Sequence, residues 1–210
     1  MARRSDEASI GILHAIFFHR FFPSVLPQTR EVLDLTLPHV EEAELETMID
    51  QRTAALVRQL DAERGQPHSG GPGGSGNGGG GRGQITVLFF EKRRRKNWFA
   101  MRGEEEVCWE SWTVKVTVAE PRTEAGSCCP RSPSPPPFAG PVAQRRAERA
   151  KVRKAMESTL LTAVMKIVTS VNSHKDHIPP ITTTDANPFP YQIIVNHKEA
   201  GWATRMGILS

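Results

Sequence analysis

A run of five basic side chains, Lys92, Arg93, Arg94, Arg95 and Lys96, is followed one residue later by Trp98 and Phe99. Lysine and arginine neutralise phosphates while an aromatic ring stacks on a base. The tract therefore fits a nucleic-acid or anionic-membrane surface, or a nuclear-import patch. Adjacent Trp and Phe held out on a turn also fit an apolar pocket on a protein partner, as a paired anchor. A third reading is structural: a solvated basic turn whose two rings fold back and cap a sheet. The acidic run Glu104, Glu105 and Glu106 follows closely and narrows the footprint open to a polyanion. The residues by themselves leave all three readings open.

Elsewhere the residue types that carry catalysis do not converge. His174 and His177 have the spacing of a metal-binding pair with Asp176 beside them, but a double proline follows and no third ligand accompanies them. A solvated loop is the expectation. Cys128 and Cys129 lie in a proline-rich stretch with no base nearby to generate a thiolate. Ser111 and Ser170 occupy no nucleophile elbow. Residues 65–83 hold 11 glycines in 19 positions, yet lack the G-x-x-x-x-G-K-[ST] pattern and any strand leading into it. Paired carboxylates do not stand out. We therefore expect no catalytic activity, no metal and no cofactor.

The elements that must position the basic–aromatic segment are readable from periodicity. The 210 residues suffice for one domain with a real core, and a net charge of +4 calls by itself for no polyanionic partner. Three cysteines, Cys108, Cys128 and Cys129, two of them adjacent, make a poor disulfide framework and fit a reducing compartment. Residues 8–22 are apolar on nearly every side, which predicts a helix covered on several faces. His14, His19, Arg20 and the early Asp6 and Glu7 argue against a signal peptide, and the run is too short to cross a bilayer. Residues 31–37 alternate, with Leu33, Leu35 and Leu37 on one face, predicting a strand. Residues 40–63 carry Leu45, Met48, Ile49, Leu56 and Leu60 at helical spacing, with acidic residues first and Gly65 as C-cap.

Residues 84–91 predict a central strand, apolar on both faces. Residues 108–119 predict a second, with Trp112, Val114, Val116 and Val118 toward the core. Together they form a hairpin whose tip spans residues 92–107, with the basic tract on the tip rather than in a strand. Residues 143–172 predict a helix with a stripe through Val152, Met156, Leu160, Val164, Ile167 and Val171. Its basic front half is expected on the opposite, solvated side, frayed by its own dipole. Residues 191–197 predict a strand, and residues 202–209 could pair back. Two stretches fall outside packed structure: Gly-rich 65–83 and Pro/Ser-rich 121–141, the latter with polyproline II character. The expectation is one α+β domain over residues 1–210, about three helices on a mostly antiparallel sheet with a protruding hairpin.

Three stretches resemble the autophagy-related protein 101 family. The first is residues 11–20, GILHAIFFHR, with Leu13-His14 and His19-Arg20 at the family's spacing. The second is residues 88–118: a strand, a basic run, Trp98-Phe99, an acidic patch, then Trp109-Glu110-x-Trp112-Thr113-Val114-Lys115-Val116. The third is residues 188–195, PFPYQIIV. The likeness covers about two-thirds of the chain.

The resemblance implies a HORMA-type domain without catalytic activity. It implies pairing with the HORMA domain of autophagy-related protein 13, within the complex built around the autophagy-initiating kinase. It also implies a Trp-Phe finger, here Trp98 and Phe99, that recruits downstream autophagy factors, with His19 and Arg20 as candidate partner contacts. The implied location is the cytoplasm and the phagophore assembly site, with membrane association indirect and no nucleic acid. The alternatives are a nucleic-acid or anionic-membrane module using residues 92–96, and a nuclear HORMA adaptor that clasps a peptide. Two departures from the family pattern stand out. Only Met1–Glu7 precede the first helix, where the family has a strand: either the start is assigned too late or the sheet lacks its first strand, and a missing strand would expose an unpaired edge. The chain also stops early, at Ser210, so the open-to-closed conversion known in other HORMA relatives is not carried over to it.

Overall fold

The computed structural model describes residues 2–23, 26–65, 81–94, 104–117, 141–182 and 187–196. The first apolar run becomes helix α1, Ala2–Arg20, and residues 2–7 join it. Leu13, Ala15, Ile16 and Phe17 are at most 1% exposed. A helix apolar on all sides needs neighbours on all sides, and α1 is packed against both sheets and both other helices. Gly11 permits the closest of these approaches: a Cβ there would meet Leu37 Cδ1 at 2.9 Å and Val32 Cγ2 at 3.5 Å.

The alternating segment 31–37 is not one strand. It is the turn of a hairpin between β1, Pro27–Val32, and β2, Leu35–Val40, with Val32 opposite Leu35. The two-residue turn has Leu33 at φ 50° and Asp34 at φ 64°. Both central residues are left-handed, as a twisted hairpin requires, but Leu33-Asp34 carries none of the usual Asn-Gly signal. A left-handed leucine costs roughly 1–2 kcal/mol. Leu33 is 8% exposed and packs with Val32, Leu37, Leu160 and Val164, and burial worth roughly 1.5–3 kcal/mol offsets the strain.

Helix α2, Ala43–Gly65, starts where the acidic residues predict it. Glu42 Oε2 accepts from the Leu45 N–H at 2.6 Å, capping the first turn. Leu45, Ile49, Leu56 and Leu60 are buried as the periodicity requires. Strand β3, Arg82–Arg94, is central between β4, Glu104–Thr117, and β5, Tyr191–Val195, and every pairing is antiparallel. Among the described residues the strands thus divide between a two-stranded and a three-stranded sheet. Ile85, Val87 and Phe89 point at the helices, each 0% exposed. Helix α3, Pro141–Ser173, buries Leu160, Val164, Ile167 and Val171 against α1 and the β1–β2 hairpin, whereas Val152 is exposed. The architecture is α+β and consistent with a HORMA-type domain.

Two further expectations change. The strand of β3 begins at Arg82, inside the Gly-rich stretch, because Gly83 lies where a Cβ would meet Leu56 Cδ1 at 2.4 Å. Arg153, expected on the solvated side opposite the apolar stripe, instead faces the β1–β2 turn and pairs with Asp34. The remainder of the Gly-rich and Pro/Ser-rich stretches, residues 118–119, and the expected turn and strand after Asn196 lie outside the described residues.

Candidate functional site

The β3–β4 hairpin is the element that presents the basic–aromatic segment. Strand β5 pairs with β3 only from Ile85 to Phe89, so beyond Phe90 the hairpin is a two-stranded ribbon. The basic tract was expected on the tip, yet Lys92, Arg93 and Arg94 belong to β3. Their register partners are Glu106, Glu105 and Glu104. Opposite charges in register each contribute roughly 0.2–1 kcal/mol, which extends the ribbon past the point where apolar burial ends. Arg93 also bonds Glu91 along its own strand, Nε to Oε2 at 2.8 Å. Arg95, Lys96, Trp98 and Phe99 lie outside the described residues, between the ribbon's two ends.

A bulge separates ribbon from base. Phe89 pairs with Glu110 and Phe90 with Cys108, leaving Trp109 as the extra residue on β4. A bulge re-aims side chains, and here Trp109 and Glu110 both turn inward. The Trp109 ring packs on Phe89, Phe189 and His177, with centroids 6.0, 5.2 and 5.4 Å away. Glu110 receives Arg20 Nε at 2.5 Å and Trp112 Nε1 at 2.8 Å, and His177 Nε2 lies 3.5 Å away. The end of α1, the bulge and the segment after α3 are thereby tied at one carboxylate.

Arg20, expected as a candidate partner contact, is 2% exposed and turned into this network. Its guanidinium holds Glu110 and the His19 carbonyl, so in this chain it is a buried pairing residue rather than a surface contact. His19 is half-buried beside the Phe18 ring, and burial, then the neighbouring Arg20 charge, pushes its imidazole below the ordinary value. His174 Nδ1–H donates to the Ser170 carbonyl of its own helix at 2.9 Å, while the His177 ring packs on Trp109. Among the described residues no group of three His, Cys, Asp or Glu could hold a metal.

Sequence reasoning missed the Arg20–Glu110 pair and a second buried polar contact. Glu110 shares the strand face of Trp112, Val114 and Val116, and a carboxylate on an apolar face was the signal that a buried cation must meet it. The second contact is His14, 3% exposed, whose Nδ1 accepts from the Val40 N–H at 3.4 Å and whose ring lies 4.0 Å from that of His39. Burial, then the charges of His39 and Arg30, lowers His14 to about 4. No helix among the described residues is long and apolar enough to cross a membrane.

Comparison with known proteins matches this arrangement to one family. The sequence model of autophagy-related protein 101 matches residues 2–185, a span that includes α1, the bulge and the whole β3–β4 hairpin. Autophagy-related protein 101 of Schizosaccharomyces pombe is 27% identical over 199 residues, covering 94% of this chain and 83% of the relative. The Arabidopsis thaliana protein of the same name is 25% identical over 188 residues, covering 88% and 77%. The likeness thus runs well beyond two-thirds of the chain, while residues 188–195 lie past the span that the family model matches. With the match covering most of its length, the chain belongs to the autophagy-related protein 101 family and so has a role in autophagy, among protein partners.

Proposed function

We propose that this protein is a non-catalytic adaptor of autophagosome formation. It pairs with the HORMA domain of autophagy-related protein 13 and recruits downstream factors through Trp98 and Phe99. The observation that supports this reading is the two-stranded ribbon. It continues past the last pairing of β3 with β5, with three cation–carboxylate pairs in register, and in sequence its end at Arg94 leads into the segment that holds Trp98 and Phe99. Rings on such a stalk meet a partner's apolar pocket without disturbing the domain beneath. The ribbon also weakens the polyanion alternative, since three of the five cations face carboxylates in register. The proposed location is the cytoplasm and the phagophore assembly site, in the complex of the autophagy-initiating kinase.

The test is the double variant Trp98→Ala/Phe99→Ala in the full chain. Thermal unfolding and capture of the HORMA domain of autophagy-related protein 13 should be unchanged, while recruitment of later factors to starvation-induced puncta is lost. A variant that unfolds would place the rings in the core and end the adaptor reading. Retained recruitment would end the finger.

A further inference from the structure

Helix α3 has two unlike halves on one seam. Its C-terminal half is apolar there, with Leu160, Val164, Ile167 and Val171 buried. Counting back by three and four residues, the same seam passes through Met156 and then Arg153, Arg149 and Arg146. These arginines continue the core-facing line after the core has ended: residues 146–152 are all exposed and Arg153 is half-buried. Residues 146–154 hold five basic side chains against one acid, Glu148, a net +4 that equals the formal charge of the entire chain.

For an isolated helix this placement is unfavourable. Like charges three or four residues apart on one helix face repel, and this seam sets three of them in succession. Arg153 demonstrates what relieves it. Its Nη2 lies 2.6 Å from Asp34 Oδ1 and its Nε 3.0 Å from Glu157 Oε1, so one guanidinium is held between carboxylates of two elements.

We propose that Arg146 and Arg149 extend this carboxylate-binding seam and dock an acidic segment of a protein partner. Along the helix axis, Arg146, Arg149 and Arg153 are separated by about 4.5 and 6 Å. A partner helix with Asp or Glu at three-four spacing offers carboxylates at the same interval, and the guanidinium fork takes a carboxylate in two parallel hydrogen bonds. A lipid surface suits the segment less. Val152 is its one exposed large apolar side chain, whereas an interfacial helix needs an apolar face to bury.

The experiment uses the full chain and a fluorescent peptide with Glu at three-four spacing in an alanine background, read by anisotropy at low salt. The variant Arg146→Glu/Arg149→Glu is compared with Lys151→Glu/Lys154→Glu, which makes the same change in net charge off the seam. Circular dichroism and thermal unfolding that match the parent chain establish that loss of binding in either variant is not loss of fold. The seam variant should weaken binding by at least about tenfold and the off-seam variant by less than about threefold. Equal losses would overturn the proposal, as would no binding or no preference over an isomeric peptide with its Glu residues clustered at one end. Tighter binding to phosphatidylserine vesicles or to duplex RNA than to the peptide would overturn it too.

Discussion

The two ends of the β3–β4 hairpin obey different physics. At the base, Ile85, Val87 and Phe89 lie over the helices with no exposed surface, and β5 closes the other edge of β3. Past the Trp109 bulge the same two strands continue as a ribbon whose facing residues are Lys92–Glu106, Arg93–Glu105 and Arg94–Glu104. Apolar burial is non-local and needs an element underneath. Charge pairing across a ribbon is local, weak and screened by salt. The hairpin is a core where Phe89 meets Phe17 of α1 and a charge-paired ribbon past the bulge.

The largest expected effect comes from breaking the base. Phe89→Ala should lower stability by roughly 3–5 kcal/mol in denaturant titration, since the ring is fully buried and packs edge-on against Phe17. Glu110→Ala, at the boundary, comes next. It strands the Arg20 charge in a site 2% exposed, one of whose guanidinium nitrogens already lacks a partner. Removing one member of a buried pair costs roughly 3–5 kcal/mol, here at the lower end because Glu110 keeps some exposure. Replacing both, as Arg20→Met/Glu110→Leu, should recover most of that loss, because no unpaired charge remains. If the double variant is as unstable as the single one, the network acts through shape rather than charge.

A pH titration sharpens the contrast from beneath the base. His14 titrates near 6.5 in an unfolded chain and at about 4 when folded, so below pH 6.5 the unfolded state takes up the proton first. Its contribution is therefore complete above pH 6.5 and falls away as pH drops toward 4. The total is about 3 kcal/mol on the scale of a two-and-a-half-unit difference. Equilibrium unfolding at pH 7 and pH 5 reads this, and His14→Asn should flatten the dependence. The smallest effect belongs to the ribbon. Glu105→Lys/Glu106→Lys should cost roughly 0.2–1 kcal/mol per pair, vanish in high salt, and show as faster amide exchange in residues 91–94 while the base keeps its protection.

Much of the fold was legible because its strongest signals are periodic. The stripe of α2 and the two-sided apolar run of β3 each predict an element whose neighbours follow from its faces. The β1–β2 hairpin was not legible. Leu33 and Asp34 alternate correctly for a strand, and nothing in their chemistry announces a left-handed turn; burial of Leu33 against α3 makes that turn affordable. The basic tract was misplaced for a related reason. Five cations in a row look solvated until register sets acids opposite three of them.

The sequence alone determined the all-round apolar character of α1, the α+β order of elements and the likeness carried by Trp109-Glu110-x-Trp112. These properties are written along the chain, in spacings of two to four residues. Tertiary structure decided that Arg20 faces inward, that a bulge at Trp109 turns two consecutive side chains to one face, and that the arginine seam of α3 outruns its core. Each depends on which distant segment lies across from it, and no local period records that.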